Sequence, residues 1–468
     1  MDIDNELDAG WDAPETRKKV DIPELTGELL ARIDSDSRQI NALITVMGDS
    51  AMADAARLQD LRDQGRPAPL DGLPIVVKDN IDVAGVRCTR GSGWFSDRVA
   101  LTDATVIRKL REAGAVILGK ASLHEFAYGG TNNNPFYGTV RNPWDTERIP
   151  GGSSGGSGAA IAADWSVGSL GTDTGGSVRC PASLAGITGL RPTMGVVSNR
   201  GVFHIGQSFD TVGPMARRAS DVARMFGAIV GFDPVDPQSV SYAGLPVQWD
   251  PVSKLAGLRV GVPRKYFFEN VDPEISEAVM AFASALEGLG AIIVDDLDVP
   301  GAEEAKEIAS LVIRAEALSV HVERLESDRS RFGEDVARRL DLGYELSGWK
   351  VAELYNAMLD SRRALRSVLD IVDVVLTPTV PSSPGRIAES EMIATTAEMV
   401  RFTYPWSLAH LPGLSLPCGF TDENLPIGAQ LIGPAHGELM LCAVADLYQK
   451  ETDWHLRRPA GFEVSTDR

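Results

Sequence analysis

The chain has 468 residues, 44% of them hydrophobic and 24% charged, which is enough to bury a large core. Its net charge of −20 argues against a nucleic-acid phosphate backbone or an anionic membrane as partner. The sequence has no apolar stretch of about 18 residues or more and no basic start leading into an apolar run, so neither membrane spanning nor secretion is supported and a cytoplasmic location is expected.

Residues 1–20 are polar and rich in charge and read as mobile or lying on the surface. About residues 24–64 alternate apolar and charged positions as helices do, which predicts a helical N-terminal segment, 1–64, packed on the core. From Leu73 to Val77 an apolar, strand-like run delivers Lys78 toward the interior. Asn142 to Pro150 read as loop, because prolines and polar residues break any alternation. Residues 151–181, GGSSGGSGAAIAADWSVGSLGTDTGGSVRCP, hold two serine clusters cushioned by glycine, separated by a helix-like run of small residues and a short strand-like segment. Leu258 to Val262 and Ala291 to Val294 read as strands flanking a helix from about 273 to 289, with longer helices from about 302 to 369. The four cysteines form no CxxC pair and the six histidines show no ligand spacing, so no metal is expected. The glycine-rich loops lack the ending of a phosphate-binding loop, and no cofactor is expected.

Lysine and two serines can make a base-activated nucleophile. A serine hydroxyl attacks a carbonyl poorly unless a neighbour accepts its proton. A desolvated lysine can do so, because burial disfavours the ammonium form and leaves a neutral amine. Gly175 and Gly176 place no side chain in front of the loop from Gly171 to Ser177, so its backbone N–H groups could surround an attacked carbonyl oxygen. The run Gly151–Gly155 also fits the G-x-S-x-G nucleophile elbow, but that motif needs a preceding strand where this chain reads as loop.

These residues resemble the amidase signature family, whose members cleave or transfer at amide bonds. Motifs along most of the chain share the resemblance, among them Pro69 to Asp82, Ala113 to Lys120, Arg141 to Trp144, Gly189 to Thr193, Val375 to Thr379 and Leu411 to Gly433. The resemblance implies an α/β fold in a single large domain, with a mixed central sheet flanked by helices. Residues 65–468 would form the catalytic domain, with a substrate-determining region at about 232–370. It further implies Lys78 as base, Ser153 as the serine that follows a cis peptide bond and relays the proton, and Ser177 as the acyl-forming nucleophile. Thr174, Gly175 and Gly176 match the oxyanion hole, and Ser154, Asp173 and Arg179 match supporting positions. Phe126, Tyr128, Thr131, Phe203, Tyr404 and Trp406 lie in or beside segments that resemble pocket-lining loops and suggest an aromatic or hydrophobic substrate.

The leading expectation is a stand-alone hydrolase of linear amides, extending to carbamates, anilides or esters. It would meet only a small-molecule amide or carbamate, with no nucleic acid and no membrane, as a monomer or homodimer. The alternative is the A subunit of a glutamine-dependent amidotransferase, which works with partner chains. Such subunits carry an acidic residue three positions before a Thr-x-Pro, to engage the glutamine amino group, whereas here Val400 precedes Thr403-Tyr404-Pro405.

Overall fold

Among the described residues, the strand-like run ending at Lys78 is the second of eleven strands in one mixed sheet. The computed structural model describes Trp11, residues 19–241 and residues 255–460. In chain order the strands are β1 (Leu43–Val46), β2 (Pro74–Lys78), β3 (Val116–Ala121), β4 (Gly168–Asp173), β5 (Thr188–Arg191), β6 (Thr211–Ala216), β7 (Arg259–Val262), β8 (Ile292–Asp295), β9 (Val374–Pro378), β10 (Gly413–Phe420) and β11 (Pro426–Ile432). Across the sheet they lie in the order β1-β3-β2-β4-β6-β5-β10-β11-β9-β7-β8. The elements make a single large domain, with helices packed against the sheet, as expected.

At the heart of the sheet β3, β2 and β4 run parallel, and every residue in them is buried. Parallel strands covered on both faces need near-continuous apolar runs, which Ile75-Val76-Val77 and Val116-Ile117-Leu118 supply. Because β2 and β4 are parallel neighbours, Lys78 and Asp173 finish at the same edge of the sheet. Sites in α/β proteins form at the carboxyl ends of such strands.

Thirteen helices accompany the sheet among the described residues: α1 (Ile22–Ile40), α2 (Gly48–Asp63), α3 (Thr105–Glu112), α4 (Gly155–Ala162), α5 (Arg179–Ala185), α6 (Ala219–Ile229), α7 (Pro273–Gly288), α8 (Ala302–Ser327), α9 (Glu334–Asp341), α10 (Gly348–Arg366), α11 (Met392–Met399), α12 (Tyr404–Leu408) and α13 (Glu438–Glu451). The small residues of α4 let it lie directly on the chain leaving β3: a Cβ on Gly156 would stand 2.5 Å from the Ser122 carbonyl oxygen. Helices α8, α9 and α10 share a second apolar core with Phe126, Phe267 and Trp406, and α8 and α9 bring Ile313 and Arg339 to a cavity beside Ser177.

The N-terminal segment is more than a helical cap. Between α1 and α2 the run Leu43-Ile44-Thr45-Val46 forms β1, which pairs antiparallel with β3 and edges the sheet. Its β-branched residues carry that preference. Most of residues 1–20 lie outside the described residues, but Trp11 does not behave as a surface residue: it is 3% exposed, and its indole N–H donates to the Leu70 carbonyl at 2.7 Å.

Candidate active site

Three chain segments meet at the carboxyl end of β2 and β4. Strand β2 brings Lys78, the loop before α4 brings Ser153 and Ser154, and the turn between β4 and α5 brings Thr174 to Ser177. The peptide bond between Gly152 and Ser153 is cis. Asn142 to Pro150 contain neither helix nor strand, so Ser153 does not sit on a nucleophile elbow.

Lys78 is fully buried, and its Nζ lies 2.8 Å from Ser153 Oγ and 2.8 Å from Thr172 Oγ1. Desolvation pulls its amine down from 10.5 to about 7, against the opposing charges of Asp210 and Asp173. A lysine in that range is half neutral near pH 7 and can take a proton from Ser153. Ser154 works one step away. Its hydroxyl sits between the Thr172 carbonyl, 3.2 Å, and the Thr172 N–H, 3.3 Å, while its own N–H donates to the Ser177 carbonyl at 3.3 Å. Thr172 thus links Ser154 to Lys78, and Asn80 holds the Thr172 hydroxyl at 3.1 Å.

Asp173 organises the turn. Its carboxylate accepts the Gly176 N–H at 2.8 Å and the Val178 N–H at 3.2 Å, and it pairs with Arg179 and Arg191 at 3.0 Å each. Burial alone would raise this carboxyl, but the Arg179 and Arg191 charges overcome it and hold Asp173 well below the usual carboxylate range. Arg179 is fully buried and braces the turn, donating also to Gln430 Oε1, Ser407 Oγ and the Thr403 carbonyl.

The glycines expected around an oxyanion have a packing reason to be glycine. A Cβ on Gly175 would stand 1.9 Å from the Tyr404 ring, and one on Gly176 would stand 2.3 Å from Thr403 Oγ1, at a φ of +138° that other residues avoid. The Gly176 N–H is turned to Asp173, so it is not aimed at a substrate here. Among the described residues the Gly175 and Ser177 N–H groups meet no protein acceptor.

A small cavity opens beside Ser177. Gly152, Thr174, Gly175 and Ser177 line it together with Tyr128, Gly130, Tyr404, Ile313, Arg339 and Val400. An apolar lining with a few convergent polar groups is the usual form of a small-molecule site. A second cavity that shares Tyr128, Arg339, Val400 and Tyr404 with the first is also lined by Lys306 and Arg314. Among the described residues none of these three cations forms a salt bridge with a carboxylate, and Arg339 Nε meets no acceptor. Against a net charge of −20, this lining is locally basic.

Four of the six expected pocket residues are elsewhere. Phe126 is wholly buried in an aromatic cluster, 4.2 Å from His321 and 5.6 Å from Phe203 between ring centroids. Phe203 belongs to that cluster, with Arg90 4.0 Å over its ring. Trp406 stacks on Phe267 at 5.5 Å, and Thr131 is buried in its own loop, bonded to the Asn133 N–H. Large rings near the site bury themselves, and only Tyr128 and Tyr404 reach the cavity. Sequence reasoning missed Thr172, Arg191, Asp210 and Arg339. Thr172 stands one residue before Asp173 at the end of β4 and could have been found. Asp210 accepts the Thr174 hydroxyl and the Ile205 N–H, contacts that no local motif announces.

A family model described as amidase matches residues 24–442. The chain belongs to the amidase signature family. The A subunit of the Glutamyl-tRNA(Gln) amidotransferase of Pseudomonas aeruginosa is 40% identical over 95% of this chain and 97% of its own length. Among solved structures, a chain from a vestigial protein complex described as revealing the evolutionary origins of an s-triazine catabolic enzyme is 33% identical with a TM-score of 0.85, covering 93% of this chain and 96% of that one. The A subunit of the Glutamyl-tRNA(Gln) amidotransferase of Thermotoga maritima is 32% identical with a TM-score of 0.77, covering 97% and 95%. These relatives correct one expectation. A chain meeting only a small-molecule substrate, as monomer or homodimer, is the wrong picture, since relatives matched over nearly their whole length are subunits of larger enzymes. The sequence pointed the other way because Val400 stands where such subunits carry an acid, and a catalytic motif carries no mark of partner chains. Among the described residues no helix is long and apolar enough to cross a membrane.

Proposed function

We propose that this chain is the amide-cleaving component of an amidotransferase-type assembly, releasing ammonia from a small donor amide that also bears a carboxylate. The observation that carries the reading is the buried Lys78 amine, 2.8 Å from Ser153, behind a cavity that Ser177 faces and Arg339 lines. The 40% identity to the A subunit of an amidotransferase supports the assembly. Ser177 attacks the amide carbon while its proton passes through Ser153 to Lys78. The Gly175 and Ser177 N–H groups stabilise the oxygen that gains charge. As the C–N bond breaks, the proton returns through Ser153 to the nitrogen and ammonia leaves. Water then attacks the Ser177 ester, giving the carboxylic acid and the free serine, so the sum is amide plus water to acid plus ammonia.

One observation favours a narrower reading of the donor. Val400 lines the cavity where glutamine-using subunits carry an acid, and Glu398 points away, pairing with Arg401 at 3.3 Å and lining a separate cavity. An apolar wall cannot hold an ammonium, whereas Arg339 can hold a carboxylate. The donor then carries a carboxylate but no neighbouring amino group. The test is ammonia release from glutamine and from glutaramate, its analogue without the amino group, by the purified chain alone and with its partner subunits. Turnover of glutaramate well above glutamine is expected if the narrower reading holds, and glutamine turnover that needs the partners supports the amidotransferase reading without it. Turnover of neither donor, with or without partners, would refute both.

A further inference from the structure

The loop that leaves β3, residues 122–130, touches both halves of the site, and two of its side chains have no part in the chemistry above. The His124 N–H donates to the Ser153 carbonyl at 3.2 Å, and Ala127 to Gly130 wall the cavity. The His124 ring lies 2.8 Å from the Asp335 carboxylate, both buried. Its neighbour Glu125, also buried, accepts the Ser92 hydroxyl at 2.6 Å with one oxygen and the Gly333 N–H at 2.7 Å with the other. Gly333 immediately precedes α9, and Asp335 lies in its first turn. Consecutive side chains of one loop therefore pin the start of one helix. Four residues beyond Asp335, the same helix carries Arg339, which donates to the Met392 carbonyl at 2.8 Å and to Thr396 Oγ1 at 3.0 Å. Thr396 Oγ1 in turn accepts the Gly130 N–H at 2.9 Å, closing the circuit onto the loop.

We propose that Glu125, together with the His124–Asp335 pair, is a positioning device that seats the first turn of α9 on the 122–130 loop and so aims Arg339 at the substrate carboxylate. This rests on the reading of Arg339 given above. Buried carboxylates are unfavourable unless fully bonded, and both are bonded to the same helix start or to the loop that receives it. The charged group facing Glu125 from α9 is Asp335, whose own charge is met by His124 and, at longer range, by Arg339. Burial raises the Glu125 carboxyl to about 7, with Ser92 and Gly333 pulling it down and Asp335 pushing it up. Neutral Glu125 donates to Ser92 and accepts from Gly333. Ionised, it keeps those partners but opposes the Asp335 carboxylate. The seat is therefore firm below pH 7 and loosens as pH rises through that value.

The experiment measures kcat and KM between pH 6 and 9 for a carboxylate-bearing amide and a neutral amide of equal length, with partner subunits present where the wild type needs them. Glu125→Ala should raise KM for the carboxylate-bearing amide on the order of tenfold or more, leaving kcat and the neutral amide nearly unchanged. Glu125→Gln, which keeps both hydrogen bonds without a charge, should hold the wild-type KM and lose its rise above pH 7. Equal damage to both amides, or Glu125→Gln behaving like Glu125→Ala, would overturn the inference. If the wild type favours the carboxylate-bearing amide and Arg339→Ala abolishes that preference while Glu125→Ala does not, the positioning role alone fails. If the wild type shows no preference, the reading of Arg339 fails and the inference falls with it.

Discussion

The pH dependence of turnover tests the role of Lys78 quantitatively. With its amine held at about 7, roughly half of the Lys78 population is neutral at pH 7, against about 0.04% for an ordinary lysine near 10.4. Burial therefore supplies on the order of a thousandfold more base at that pH. The profile of log kcat/KM should climb with unit slope below pH 7 and level off above it, about tenfold below the plateau at pH 6. Steady-state ammonia release with the donor amide held well below KM reads this directly, and a solvent isotope effect confirms that proton transfer limits the rate. Asp210 raises the Lys78 value, so Asp210→Asn should move the climb toward lower pH. Lys78→Arg, cationic at every pH, should lose about 10²–10⁴ in kcat. A profile flat from pH 5 to 9, or one still rising at pH 10, would refute the reasoning.

Other consequences follow from the same contacts. Gly175→Ala drives a methyl into the Tyr404 ring and should lower kcat about 10²–10³-fold, and adding Tyr404→Ala should recover part of the loss in the same assay. Asp173→Ala leaves Arg179 and Arg191 buried without their carboxylate and should cost about 3–5 kcal/mol in urea melts. Lys78 has a folded-state value below its unfolded one, so it stabilises fully only above about 10.5, and that contribution falls as pH drops toward 7. Lys78→Met should therefore be more stable than wild type, by a margin that grows from pH 9 to pH 7 in chemical melts.

Much of the candidate site is legible because each member carries its own local signature. Lys78 ends an apolar run, and Ser153 and Ser177 sit among glycines that the structure explains by close approach of Pro150, Asn132, Tyr404 and Thr403. The residues that surround them are not legible in that way. Thr172 reaches Lys78 only because β2 and β4 are parallel neighbours, and Arg339 arrives from a helix 162 positions after Ser177, whose placement depends on tertiary packing. Aromatic residues misled because proximity in sequence does not decide which side of a loop a ring takes. Phe126 and Phe203 turn into a cluster under α8, while Tyr128, two residues from Phe126, turns into the cavity. The short strand β1 was hidden by the helical pattern on either side, although Leu43-Ile44-Thr45-Val46 is itself strand-like. Partner subunits leave no trace in a catalytic motif, and there the relatives overrule the stand-alone expectation.

The most direct test of the proposed chemistry is to trap the acyl-enzyme. The chain is incubated with a slowly deacylating aryl ester of the donor acid, quenched in acid, and its intact mass and peptide map are measured for wild type and Ser177→Ala. One acyl group per chain, located on Ser177 and missing from the variant, is the expected result. An adduct on another residue, or donor-amide turnover that survives Ser177→Ala, would contradict it.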